Sequence, residues 1–306
     1  MKRLLGLIAI ALLATGVAAQ AQLYEVVTRT NVQYVEHDGV KLAGDLYLPK
    51  GVDKAPVIIA THGGGWQAGS RSSYRFWGPY LAKNGIGVFA INYRLSKPGA
   101  KSYPAAVYDV KAAVQFARAN AAQLNIDPDR IGMMGDSAGA HLVALVALAG
   151  DDTLFSSEHR NDPHATVPSN VKAVVGFYGV YDMHAQWHHD QLARPNDQIT
   201  EKFIGVSPMQ SRRAYFDASP TSYATNDKRE RLGTRFLLVH GTNDDIVDPK
   251  TQGEVFLNAL KQARFFARTV VVPGSGHFWA SDPVEEVGSY GYQAAPQILR
   301  FLKGAL

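Results

Sequence analysis

RIGMMGDSAGAHLVALVALA (130–149) is the stretch whose reading decides the fold. It opens on a short apolar run, 130–134, of the length of a buried strand. It closes on a longer run rich in Ala and Leu, 137–149, of the length of a helix. Between them stands Gly135-Asp136-Ser137-Ala138-Gly139, a G-x-S-x-G pattern. The pattern alone is weak, because Gly and Ser are common. A strand before it and a helix after it make it specific. In that setting the chain reverses sharply and leaves the Ser137 hydroxyl exposed at the carboxyl edge of a sheet.

Working outward, the chain alternates strand and helix signals. Two extended segments, 24–36 and 40–48, flank His37-Asp38-Gly39, a hairpin signal. Strands are expected at 56–61, 86–93, 130–134, 171–178, 235–240 and 268–272. Helices are expected at 74–84, 104–123, 137–149, 251–263 and 294–302, with Asp248 capping the fourth ahead of Pro249. This order predicts an α/β fold: a mostly parallel, eight-stranded sheet with helices on both faces. Two stretches break the rhythm. Residues 151–170 read as a polar loop. Residues 181–231 give no strand signal, yet hold Tyr181, Trp187, Phe203, Tyr215, Phe216 and Tyr223. So many aromatics exclude a disordered linker, and the segment is expected to be a cap insertion over the sheet.

Composition narrows the field. The 306 residues are 46% hydrophobic and 19% charged, which is globular and not disordered. The absence of Cys removes disulfides, Cys-zinc sites, iron–sulfur clusters and a thiol nucleophile. The formal charge of +4 comes from interspersed charges, so no nucleic-acid partner is expected. At the start, Lys2 and Arg3, the apolar run 4–13 and Ala19-Gln20-Ala21 have the form of an export signal cleaved after Ala21. The run is too short to span a bilayer. A secreted or periplasmic chain, 22–306, with no membrane insertion is the expectation.

A serine hydroxyl needs a base to become a nucleophile. His277, in Gly274-Ser275-Gly276-His277-Phe278 directly after the strand at 268–272, is placed to be that base. The acid that orients it is sought after the strand at 235–240. There His240-Gly241-Thr242-Asn243-Asp244-Asp245 offers Asp244, with Asp245 as the alternative. His62-Gly63-Gly64-Gly65-Trp66 follows another strand, and its consecutive glycines leave backbone N–H groups free to face an oxyanion. The amide of Ala138 is a further donor. His62 itself reads as structural.

Six segments carry a resemblance: HGGGW (62–66), NYRL (92–95), YPAAVYDVKAAVQF (103–116), DPDRIGMMGDSAGAHL (127–142), HGTNDD (240–245) and GSGHF (274–278). In this order the chain resembles the α/β-hydrolase esterases and lipases. It is most similar to the secreted bacterial feruloyl and acetyl esterases near the hormone-sensitive-lipase family. The resemblance implies Ser137 as nucleophile, Asp244 as acid and His277 as base, with Gly64, Gly65 and Ala138 as oxyanion donors. It implies a serine carboxylesterase acting on short-chain or aromatic acyl esters, small or linked to polysaccharide, without cofactor or metal. An aryl formamidase, amidase or peptidase would use the same triad, and a non-catalytic relative would be expected to lack it. Two positions depart from the pattern. Ala140 stands where a second glycine is common, and Asp248 separates Val247 from Pro249. Trp66, Phe278 and Trp279 are the candidate substrate-binding aromatics, with core and cap packing as the competing reading. Arg94 and Asp109 are expected to pair beneath the serine turn. His184 and His188, four apart, read as polar surface and not as a metal site.

Overall fold

The computed structural model describes residues 23–306, so the expected signal at 1–21 lies outside the described residues. The strands are β1 (Val26–His37), β2 (Val40–Pro49), β3 (Ala55–Thr61), β4 (Gly87–Ile91), β5 (Ile126–Asp136), β6 (Ala173–Phe177), β7 (Arg235–Gly241) and β8 (Ala267–Val272). They form one sheet in the order β1-β2-β4-β3-β5-β6-β7-β8. Only β2 runs against its neighbours; β4, β3, β5, β6, β7 and β8 pair in parallel. The expected eight-stranded α/β sheet is therefore present.

Side chains alternate between two cores, as strand geometry requires. Val57 and Ile59 of β3 face a core shared with the helices Ala105–Ala119 and Ala138–Ala149. Ile58 and Ala60 face the other, closed by Trp77, Leu81, Ile298 and Leu302 from the helices Trp77–Lys83 and Tyr290–Ala305. Every residue of β3 is buried, as expected for a parallel strand covered on both faces. Every residue of the helix Ala138–Ala149 is buried too. A helix apolar all round must be buried all round, and this one lies between the sheet and further helical layers.

Element edges differ from expectation where local polar groups intervene. The helix expected at 74–84 divides into a 3-10 turn, Arg71–Tyr74, and Trp77–Lys83, because the Ser70 hydroxyl accepts from Ser72 N and starts the turn early. The helix expected at 104–123 stops at Ala119, and a short helix, Ala121–Leu124, ends at Asn125 with φ 58°. The last helix starts at Tyr290, four residues early, because the Ser289 hydroxyl accepts from Tyr292 N. Asp248 caps as expected, its carboxylate accepting from Lys250 N at 3.1 Å.

Arg94 and Asp109 do pair, with Nε and Nη2 at 2.7–3.0 Å from the carboxylate. Their place is not beneath the serine turn. Asp109 also accepts from His37 at 2.7 Å, and Arg94 reaches Asp38, so the pair fastens the β1–β2 hairpin turn to the helix Ala105–Ala119.

Residues 181–231 hold the helices Met183–Ala193, Ile199–Ile204, Arg212–Asp217 and Asn226–Leu232 and the 3-10 turn Pro220–Tyr223. Aromatics anchor this segment. Phe203, fully buried, stacks on Trp66 at 4.5 Å and meets His141 edge-on at 5.4 Å. His141 Nδ1 accepts from the Trp66 indole N–H at 3.1 Å, and its Nε2–H donates to the Ala218 carbonyl at 2.7 Å. Both bonds require the neutral ring, and burial pushes its pKa down to about 4. Phe203→Ala removes a fully buried ring from this junction. It should cost about 3–5 kcal/mol of stability, read as a lowered urea midpoint; an unchanged midpoint would contradict the anchoring role.

Candidate active site

Thr61, the last residue of β3, sits in register with Gly135 near the end of β5. The loops that follow these strands, 62–66 and 135–139, thus leave the sheet side by side. Their approach depends on glycine. A methyl group on Gly139 would collide with the carbonyl oxygens of Thr61 and His62, and one on Gly135 would collide with the backbone of Gly139. Between them Ser137 takes φ 52°, ψ −118°, a strained conformation for a residue with a side chain. Its N–H donates to Phe177 O at 2.8 Å, fastening the turn to β6.

The three residues singled out from the sequence are brought together. His277 Nε2 accepts from the Ser137 hydroxyl at 2.9 Å, and His277 Nδ1–H donates to Asp244 Oδ2 at 2.7 Å. The other Asp244 oxygen accepts from Ile246 N at 3.0 Å and Val247 N at 2.9 Å, so the carboxylate is held at both ends. Asp245, the alternative, is exposed, and its backbone carbonyl accepts from His189. Tyr178 supports the imidazole, its ring 4.4 Å from that of His277 and its hydroxyl accepting from Ala280 N at 3.0 Å. The sequence reading missed Tyr178. Its one signal was its place immediately after a parallel strand.

Gly64, Gly65 and Ala138 border the same cavity as Ser137 and His277, about 270 Å³ in volume. Among the described residues, the amides of Gly64 and Gly65 donate to no other backbone group, and the Ala138 amide opens its helix without an intrahelical partner. His62 is structural as expected, with Nδ1 on the Gly63 carbonyl at 2.8 Å and its ring against Tyr93.

Of the three candidate aromatics, Trp66 and Phe278 border the cavity, and Phe278 is the exposed one. It is 62% exposed and meets the His277 ring edge-on at 4.6 Å. Trp66 borders the cavity but is fully buried, with its indole stacked on Phe203 and bonded to His141, so it also supports the glycine loop from behind. Trp279 is corrected: it packs into the sheet core against Phe177 and Tyr178 and does not line the cavity. The cavity wall is mostly residues that carried no motif. Val180, Ile199, Ile246 and Val247 form its apolar part, and Arg194 and Asp197, paired at 2.5 Å, form its polar side. His184 and His188 lie 4.6 Å apart by ring centroids on the helix Met183–Ala193.

Among the described residues no helix is long and apolar enough to cross a membrane. Comparison with known proteins agrees with the geometry. A family model described as BD-FAE matches residues 44–260. The chain is 32% identical over 210 residues to the probable carboxylic ester hydrolase LipM of Mycobacterium tuberculosis, covering 68% of this chain and 45% of LipM. It spans about half the length of the curated relatives it matches first. Among solved structures it superposes on a truncated carbohydrate esterase from gut microbiota with TM-score 0.72 and 27% identity, over 94% of this chain and 98% of that one. It also superposes on esterase 2 of Thermogutta terrifontis with butyrate bound, with TM-score 0.69 and 25% identity over 92% of each chain. With more than half its length matched and the sheet order and serine turn in place, the chain belongs to the BD-FAE family of α/β-hydrolases.

Proposed function

We propose that this protein is a serine carboxylesterase acting on esters of short-chain or small aromatic acids. The observation that carries the reading is the unbroken hydrogen-bond chain Ser137–His277–Asp244 opening on a mostly apolar cavity. His277 Nε2 takes the hydroxyl proton as Ser137 Oγ attacks the ester carbonyl. Asp244 holds the Nδ1–H tautomer and stabilises the imidazolium. The amides of Gly64, Gly65 and Ala138 receive the oxyanion, each donor of this kind being worth about 3–4 kcal/mol in the transition state. The imidazolium then protonates the leaving alcohol. Water enters, gives its proton to His277, and hydrolyses the acyl-serine.

A volume of about 270 Å³ suits a small acyl group, and the walls of Val180, Ile199, Ile246 and Val247 suit an apolar one. That the structural relative from Thermogutta terrifontis holds butyrate supports the short-chain reading. Phe278, exposed beside His277, is proposed to stack on aromatic acyl or alcohol groups. We also propose that residues 1–21 direct export and are removed after Ala21, which N-terminal sequencing of the exported protein would test.

A panel of p-nitrophenyl acetate, butyrate and octanoate, methyl ferulate and acetylated xylan tests the activity. The acetate and butyrate esters or methyl ferulate should be turned over, and Ser137→Ala should lose roughly 10⁴-fold or more in kcat/KM. Retained turnover in that variant, or failure of the wild type to react with a fluorophosphonate, would sink the scheme. The acid is tested separately. Asp244→Asn should lower kcat by about 10⁴-fold, because the wrong tautomer is then favoured, while Asp245→Asn should stay within a few-fold of wild type.

Asp136 gives a pH signature at the same turn. It is buried, and desolvation raises its pKa from 3.8 to about 6, against the hydrogen bond it accepts from the Tyr74 hydroxyl at 3.1 Å. The folded protein therefore binds a proton that the unfolded chain has released. The stability this contributes is full below pH 3.8 and is lost as pH rises through about 6. Asp136→Asn should match wild type in denaturant melts at pH 4 and be more stable by about 3 kcal/mol at pH 7. A variant less stable than wild type at pH 7 would mean that the ionised carboxylate is favoured in the fold.

A further inference from the structure

We propose that His37, His159 and Asp162 form a binding site for one divalent transition-metal ion, zinc or a close relative, which pins the polar loop 151–170 to the β1–β2 hairpin. Each of the three offers one ligand atom, and these atoms lie within 4.8 Å of one another. His37 Nε2 and the Asp162 carboxylate are already 2.7 Å apart. Two ligands bound at about 2.0–2.1 Å to a shared zinc stand about 3 Å or a little more apart. His159 lies parallel to His37, with ring centroids 3.7 Å apart, and is half-exposed, so its ring has room to turn its nitrogen toward the other two.

The surroundings are those of a metal-binding imidazole. The fully buried Asp109 accepts the His37 Nδ1 proton at 2.7 Å, which leaves Nε2 as the coordinating nitrogen. Asp109 is itself fixed by Arg94 through Nε and Nη2. A carboxylate behind a ligating histidine sets its tautomer and raises its basicity. On the open side lies a cavity of about 240 Å³, bordered by His37, His159, Asp162, Tyr108 and Glu158, with room for water to complete the coordination. Two imidazoles and one carboxylate suit zinc, nickel, cobalt or copper and do not suit magnesium or calcium. Proton balance is simple. Nε2 of His37 now shares a proton with Asp162, and the ion takes its place, releasing that proton to water.

No other trio of such groups with this spacing occurs among the described residues. Among the described residues, His184 and His188 have no third ligand in reach, and they serve as the control pair. The site shares no residue with the cavity at Ser137, so it is separate from the proposed esterase chemistry. A metal there would act on the loop. At present that loop is tied back by Lys111 Nζ to Phe155 O at 3.1 Å and by Gln115 to the carbonyls of Ala165 and Val167.

The test is calorimetric titration of zinc chloride into the tag-free full chain after chelator dialysis, with cobalt absorption as a second readout. One ion per chain should bind with micromolar or tighter Kd, and bound cobalt should show the visible bands of a nitrogen–oxygen site. His159→Ala and Asp162→Asn should each weaken binding at least tenfold. His159 is half-exposed, and Asn keeps the shape of Asp162, so each variant should melt like wild type in the absence of zinc. His184→Ala with His188→Ala should leave binding unchanged. Absence of stoichiometric uptake by the wild type, or uptake unaffected by both ligand substitutions, would overturn the proposal.

Discussion

The backbone of β5 and its turn must touch the backbone that follows β3, with no side chain between them. Gly139 lies against the carbonyls of Thr61 and His62, and Gly135 lies against Gly139 itself. Gly63 likewise lies against Asp136 and Ser137, so the glycine loop and the serine meet here. The contact fixes Ser137 at φ 52°, which costs about 1–3 kcal/mol in a residue with a side chain. Burial of the following helix, in which no residue is exposed, offsets that strain many times over. The fully buried helix Ala138–Ala149 and the strained Ser137 are thus adjacent for a physical reason: one holds the other.

The constraint propagates through small residues. Where the family often carries glycine, this chain has Ala140, and its methyl group reaches toward the loop after β6. Gly179 faces that methyl so closely that a Cβ there would lie 2.6 Å from it, and Gly176 approaches it as well. The extra carbon at 140 is accommodated by the absence of one at 179. From His141, the next residue, the coupling becomes polar. Its two ring nitrogens join the Trp66 indole to the Ala218 carbonyl, so the glycine loop and the helical segment 181–231 are tied through one neutral imidazole. A proton added to that ring would oppose the Trp66 N–H, and burial keeps it off down to about pH 4.

These two couplings show what the sequence could and could not disclose. The mostly parallel sheet and the positions of Ser137, His277 and the acid loop were legible because each rests on local rules: apolar run lengths, a strand–turn–helix frame, loops at carboxyl ends. The choice between Asp244 and Asp245 was not local. It depends on which carboxylate the Ile246 and Val247 amides hold, and adjacent residues cannot both face those donors. Trp279 was misjudged for a related reason. Closeness to a motif does not say which side of the backbone an indole occupies. Trp66 has φ 58° and Phe278 has φ 71°, and in such loops period-based reasoning about direction does not hold. The hairpin role of Arg94 and Asp109 was hidden because His37 and Asp38, their partners, come from another part of the chain.

The cavity wall was the least legible part, and its construction explains why. Ser137, His277 and the glycine loop sit at ends of sheet strands, whose positions are set by backbone pairing. Ile199, Arg194 and Asp197 come from helices and connections that the sheet does not position. Their placement depends on Phe203, Tyr215 and Tyr181 packing into the body, contacts that leave no short-range pattern in sequence. Substitutions in 181–231 can therefore reshape the cavity while those buried aromatics hold the segment down and the triad stays untouched. On the proposed function, catalytic competence and substrate choice would be carried by separately constrained parts of the chain, so a scaffold of this kind can keep its chemistry while its specificity changes.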